Sequence, residues 1–140
     1  MPMLTTPVLW ASTITLLMGL FYFFTAVRVG ILRGRHNIKA PATSGHPQFD
    51  RAYRVQLNTL EQLGIILPFM WVAAFYPIRL QWIAPLIGVI WLLGRLIYLR
   101  LYMRDPEKRV LGAGICGLAN LAMFVVALCG VLRAWVATRG

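Results

Sequence analysis

The sequence predicts an all-α integral membrane protein, a bundle of four transmembrane helices, and three observations carry that expectation. Of 140 residues, 59% are hydrophobic and only 13% are charged, whereas soluble domains sit near about 45–50% apolar and about 25% charged. The apolar residues gather in long runs; a span needs roughly 20 of them, so the length allows about four. The 14 basic residues outnumber the 4 acidic ones, for a net charge of +10, and they stand at the ends of the apolar runs. That placement argues against a nucleic-acid partner and for a protein set in a lipid bilayer.

The first helix is expected over about residues 8–33. The preceding MPMLTTP carries no charged side chain. With no basic leader and a long apolar stretch, this helix reads as retained rather than as a cleaved signal peptide. Arg28 and Arg33 fall near its far end, where long side chains reach the interface. Gly34 to His46, GRHNIKAPATSGH, has the composition of a loop. A second helix is expected over about 48–75, with Gly64 and Pro68 as places for a bend. Tyr76, Pro77 and Arg79 mark a tight connection to a third helix over about 81–103. Asp105 and Pro106 read as N-cap and first residue of a fourth, over about 106–136. Cys116 and Cys129 lie on that helix about 20 Å apart, too far to pair within it. Both read as small buried hydrophobes.

Basic residues set the expected orientation. Arg28, Arg33, Arg35, Lys39, Arg51 and Arg54 surround the first loop, and Arg95, Arg100, Arg104, Lys108 and Arg109 surround the third. Only Arg79, Arg133 and Arg139 lie toward the other side. Loops one and three are therefore expected in the cytoplasm and both termini outside, in a bacterial inner membrane rather than the endoplasmic reticulum.

The second helix, FDRAYRVQLNTLEQLGIILP from Phe49 to Pro68, begins charged and ends apolar. At about 100° per residue, Arg51, Arg54, Asn58 and Glu61 fall within roughly 80° and form one polar stripe. Such a stripe must face protein or water, since a charge in hydrocarbon costs at least about 2.5–3.5 kcal/mol. Two readings fit it: a set of ties between helices, or the wall of a site for a polar ligand. Grading in depth along one face favours the ligand. The third helix ends GRLIYLRLYMRDPEKR, where Arg95, Tyr98 and Tyr102 share a face while Arg100 and Arg104 point elsewhere, toward lipid head groups or solvent. Arg109 falls near the start of the fourth helix, where a cation adds to the positive end of the helix dipole. Together they attract an anion. The competing reading of Arg109, taken alone, is an arginine snorkelling to acidic lipid.

The run Arg51-Ala-Tyr-Arg54-Val-Gln56-Leu-Asn58-Thr-Leu-Glu61 resembles the second-helix signature of the MAPEG family, the membrane-associated proteins in eicosanoid and glutathione metabolism. The resemblance reaches back through Phe49, Pro47 and Gly45 to Arg33. It continues forward to Arg95, Tyr98, Tyr102 and Arg109, at the spacing of the microsomal glutathione transferases and the leukotriene-C-forming branch. More than half of the chain is covered.

This resemblance implies a single domain over residues 1–140, a homotrimer, and glutathione bound between neighbouring subunits, with no metal. By position it assigns Arg33, Arg51, Arg54, Gln56, Asn58, Glu61, Arg95, Tyr98 and Tyr102 to the glutathione pocket. Arg109 matches the arginine that stabilises the thiolate and is the expected catalytic residue. The chemistry suits the residue types. Arginines hold the two carboxylates of glutathione as planar bidentate donors, and Glu61 can meet its ammonium. Lowering the thiol from its usual pKa near about 8.5 requires about 1.4 kcal/mol per unit, within reach of a guanidinium and a helix N-terminus. The thiolate would attack a hydrophobic electrophile from the bilayer, in detoxification by conjugation, peroxide reduction or isomerisation. Two positions depart from the pattern: Gln62 stands in place of a tyrosine, and Gly34 in place of an arginine. The alternative is a non-catalytic lipid-binding or scaffolding member, which lacks an arginine at position 109. A small multidrug exporter would need a carboxylate in the first helix, which has none.

Overall fold

The computed structural model describes residues 5–139 and is all-helical over them. Its elements are α1 (Thr6–Arg35), α2 (Pro47–Phe75), α3 (Ile83–Arg104), a short 3-10 turn (Pro106–Lys108) and α4 (Arg109–Ala137). All four α-helices are long and apolar enough to cross a membrane.

The ends of the helices follow from local chemistry. Asn37 closes α1 in the left-handed conformation at φ 53°, which asparagine tolerates better than most residues. Its N–H donates to Gly34 O at 3.3 Å, and Ile38 N–H donates to Arg33 O at 3.0 Å, the paired bonds of a Schellman stop. Ile38 is thereby turned back onto Val29, Leu32, Phe49 and Ala52. Pro47 opens α2 from the N-cap His46, whose Nδ1 accepts from Gln48 N–H at 3.3 Å. Asp50 Oδ1 reaches back to Gly45 N–H at 3.0 Å. The helix then runs unbroken through Gly64 and Pro68 to Phe75. Gln81 and Trp82 form a turn, so α3 begins at Ile83, later than position 81. Asp105 acts as an N-cap, accepting from Glu107 N–H at 3.1 Å. The turn it caps is 3-10, however, so Pro106 does not start the α-helix and Arg109 becomes its first residue.

α2 packs against all three other helices, and α3 pairs most extensively with α4. Met18, Ile66, Met70, Trp91 and Met123 fill the centre of the bundle. Close approach of α4 to α3 depends on small residues. A Cβ at Gly112 would come within 2.5–2.7 Å of Tyr98 backbone and Cβ atoms, and one at Gly94 within 2.7 Å of Ile115. Small residues serve this purpose in membrane helix pairs. Cys116 is buried at that interface, but Cys129 is exposed, so only one of the two is a core residue. Thirteen positions at 100° each put them about 140° apart on α4, too far round for one buried stripe to hold both.

Candidate functional site at the junction of α2, α3 and α4

The close packing of α4 on α3 leaves a cleft of about 260 Å³ at the junction with α2. α2 supplies Asn58, Glu61 and Gln62, α3 supplies Arg95 and Tyr98, and α4 supplies Arg109 and Ala113. Each set is spaced by one, three or four residues, so each helix offers one face to the same space.

Arg95 is the deepest charge, only 2% exposed. Its Nη2 donates to Thr59 Oγ1 at 2.6 Å, its guanidinium carbon lies 4.2 Å from the Tyr98 ring centroid, and its Nε–H has no partner among the described residues. No carboxylate lies within 4.0 Å of it; the one ion pair among the described residues joins Lys108 to Asp105 on the surface. A buried cation without a counter-ion is costly, and here it borders a cleft. Asn58 Nδ2 donates to Tyr98 Oη. The phenol oxygen is thus an acceptor, and its own O–H remains available to donate elsewhere. Tyr98 also stacks on Tyr102, with centroids 5.4 Å apart at 21°. Glu61 and Arg109 are exposed at the rim. The cleft therefore combines two guanidiniums, a phenol, two carboxamides and one carboxylate, a set suited to a polyanionic ligand that also carries a cation.

Of the ten residues singled out in the sequence, five meet here: Asn58, Glu61, Arg95, Tyr98 and Arg109. The others stand apart within the single chain. Arg33 Nη1 donates to Ala42 O at 2.9 Å, and its guanidinium lies over Phe49, 4.8 Å from the centroid. Arg51 Nη1 donates to Met103 O and Arg104 O, both at 3.2 Å, satisfying carbonyls at the end of α3. Arg54 is exposed, Gln56 is half-buried, and Tyr102 is buried behind Tyr98.

The sequence profile of the MAPEG family matches residues 11–129. The chain belongs to the MAPEG family. It is 39% identical over 130 residues to the uncharacterized protein sll1147 of Synechocystis sp., covering 93% of each chain. It is 34% identical over 99 residues to leukotriene C4 synthase of Cavia porcellus, a match spanning 71% of this chain and 65% of that one. It is 32% identical over 89 residues to microsomal glutathione S-transferase 2 of Homo sapiens, covering 64% of this chain and 59% of that one.

In this MAPEG chain Gln62, where the sequence departs from the family pattern, keeps a place in the site, and it brings with it Asn120, which the sequence reading passed over. Gln62 lines the cleft, and its Oε1 accepts from Asn120 Nδ2 at 2.7 Å. Asn120 is 8% exposed, and its Oδ1 has no partner among the described residues. The signal was present, since Asn120 is the lone amide in a long apolar helix, where a polar residue is expected to have a purpose. Thr59, which receives Arg95, gave no such signal: its hydroxyl also donates to Val55 O at 2.7 Å, as serines and threonines within helices commonly do.

Proposed function

We propose that this membrane protein is a glutathione S-transferase, in which an activated glutathione thiolate attacks a hydrophobic electrophile. The observation that supports this reading best is the cleft itself. Two cations, Arg95 and Arg109, share it with Tyr98, Asn58 and a single carboxylate, Glu61, a composition complementary to two carboxylates, an ammonium and a thiolate. The relatives named leukotriene C4 synthase and microsomal glutathione S-transferase 2 give the same direction.

In this reading Arg95 attracts a carboxylate from below and Glu61 meets the ammonium at the rim. Arg109, at the N-terminus of α4, lowers the thiol pKa by stabilising its anion. The Tyr98 hydroxyl, held by Asn58, has its proton free to donate to the same sulfur. The thiol proton leaves to solvent, the sulfur lone pair forms the bond to the electrophilic atom, and the displaced electron pair takes up a proton. The electrophile reaches the thiolate from the bilayer.

The cleft of one chain, about 260 Å³, is smaller than the roughly 300–1,000 Å³ of typical ligand sites. A homotrimer in which a neighbouring subunit supplies the other wall completes it, with Arg54 and Gln56 as residues free to face such a neighbour. The charge asymmetry supports an orientation with loops one and three, and so the mouth of the cleft, on the cytoplasmic side, and the similarity to a Synechocystis protein is compatible with a bacterial membrane. Mixing the purified protein with glutathione and following thiolate absorbance together with proton release tests cofactor and activation at once. Thiolate should form in proportion to occupied sites at neutral pH. Absence of both signals at saturating glutathione would favour the non-catalytic, lipid-binding alternative. Mass measurement in detergent should give three chains.

A further inference from the structure

A second concavity lies on the other side of α3, between α1 and α3, and is independent of the cleft. Its upper part, about 590 Å³, is walled by Phe24, Leu96, Leu99 and Met103 and rimmed by Arg28, Arg100 and Arg104. Phe24 and Leu96 continue into a lower part of about 460 Å³, lined solely by apolar side chains down to Leu17 and Val89. On α3, Leu96, Arg100 and Arg104 stand roughly 100–180° round the helix from Arg95, so the groove and the cleft occupy different faces.

We propose that this groove holds one anionic phospholipid, its phosphate on Arg28, Arg100 and Arg104 and an acyl chain along the apolar floor. Charge complementarity carries the choice of occupant. Three arginines converge there, none of the chain's four carboxylates lines the groove, and none of the three makes an ion pair among the described residues. Dimensions agree. From Arg28 to Leu17 on α1, and from Arg100 to Val89 on α3, the groove runs eleven residues, or about 16 Å. One leaflet is half of a hydrocarbon core of about 30 Å. Basic pockets between membrane helices bind anionic head groups in this manner. A zwitterionic lipid fits the floor equally well and offers the same phosphate, but its choline cation offsets the charge that the three arginines meet, so net head-group charge should decide occupancy.

The test is native mass spectrometry of the full chain in detergent, with phosphatidylglycerol and phosphatidylcholine of identical acyl chains. The wild-type protein should retain phosphatidylglycerol preferentially. The triple variant Arg28→Gln, Arg100→Gln, Arg104→Gln should lose roughly a hundred-fold of that preference, at about fivefold for each arginine. The corresponding triple lysine variant should keep most of it, which separates loss of charge from misfolding. Equal retention of both lipids by the wild type, or unchanged preference in the glutamine variant, would overturn the proposal. So would a wild type that binds neither lipid and a glutamine variant of altered oligomeric mass, an outcome that assigns the groove to a second copy of the chain.

Discussion

Two pairs of arginines in this protein look alike in the sequence and meet different fates in the fold. Arg33 and Arg51 spend their donors on backbone carbonyls, one in the first loop and one at the end of α3. Arg95 and Arg109 border the cleft without a carboxylate partner among the described residues. In the first pair the charge serves the frame, satisfying carbonyls of the first loop and of the last turn of α3. In the second the frame holds charge ready for something it does not itself contain. A guanidinium has five donors and no acceptor, so what it faces decides its role, and carbonyls and an open cleft demand different things.

Four substitutions sharpen this contrast, from the largest expected effect to the smallest. Gly112→Val attacks the frame of the open pair directly, by driving a side chain into the Tyr98 backbone. Thermal unfolding in detergent should register a loss of about 3 kcal/mol or more, and the cleft should no longer form. Arg51→Ala leaves carbonyls at the end of α3 without their donor. It should cost about 1–2 kcal/mol while leaving the pKa of bound glutathione where it was; a raised thiol pKa would move Arg51 into the other class.

Asn120→Leu removes both the bond to Gln62 and the buried Oδ1 that has no partner among the described residues. These oppose each other, so stability should change by less than about 1 kcal/mol. The Michaelis constant for glutathione should rise a few-fold, because Gln62 is no longer held at the cleft wall. Equal constants for variant and wild type would make the Gln62–Asn120 pair purely structural. Arg54→Ala should leave the melting temperature unchanged, since the side chain is exposed. A loss of glutathione binding in that variant, with its mass in detergent unchanged, would support the proposed trimer, in which a neighbouring subunit's cleft would use Arg54.

How far the sequence reached follows the same line. The four helices were legible because apolar runs are broken by prolines, glycines and charges, and each break has a local cause such as Asn37, Pro47 or Asp105. The grouping of Arg95 with Tyr98 and Tyr102 was legible too, because periodicity fixes which residues share a helix face. Periodicity is silent on what another helix brings to that face. Arg51 and Asn58 share the α2 stripe, yet one reaches the end of α3 and the other the Tyr98 hydroxyl. The Gln62–Asn120 bond joins α2 to α4 across 58 positions, and the cost of a Cβ at Gly112 depends on how closely two helices approach. Cys129 was misread for the same reason: residue type suggested burial, but the rotation of α4 left it outside.

The central claim is that Arg109 activates the thiol of glutathione, and the pH–rate profile of Arg109→Ala tests it most directly. In the proposed site Arg95 holds a carboxylate and Glu61 the ammonium, so glutathione affinity should stay nearly intact. Turnover at neutral pH should fall roughly ten- to a hundred-fold, the equivalent of one or two lost units of thiol pKa. The sign is fixed: with the anion less stabilised, the thiol pKa rises toward about 8.5, so the rate should climb as pH passes through that value. Lysine at the same position should restore part of the loss, through charge without the planar fork. An Arg109→Ala protein whose profile matches the wild type would contradict the account, and the Tyr98 hydroxyl would then be the group to remove next.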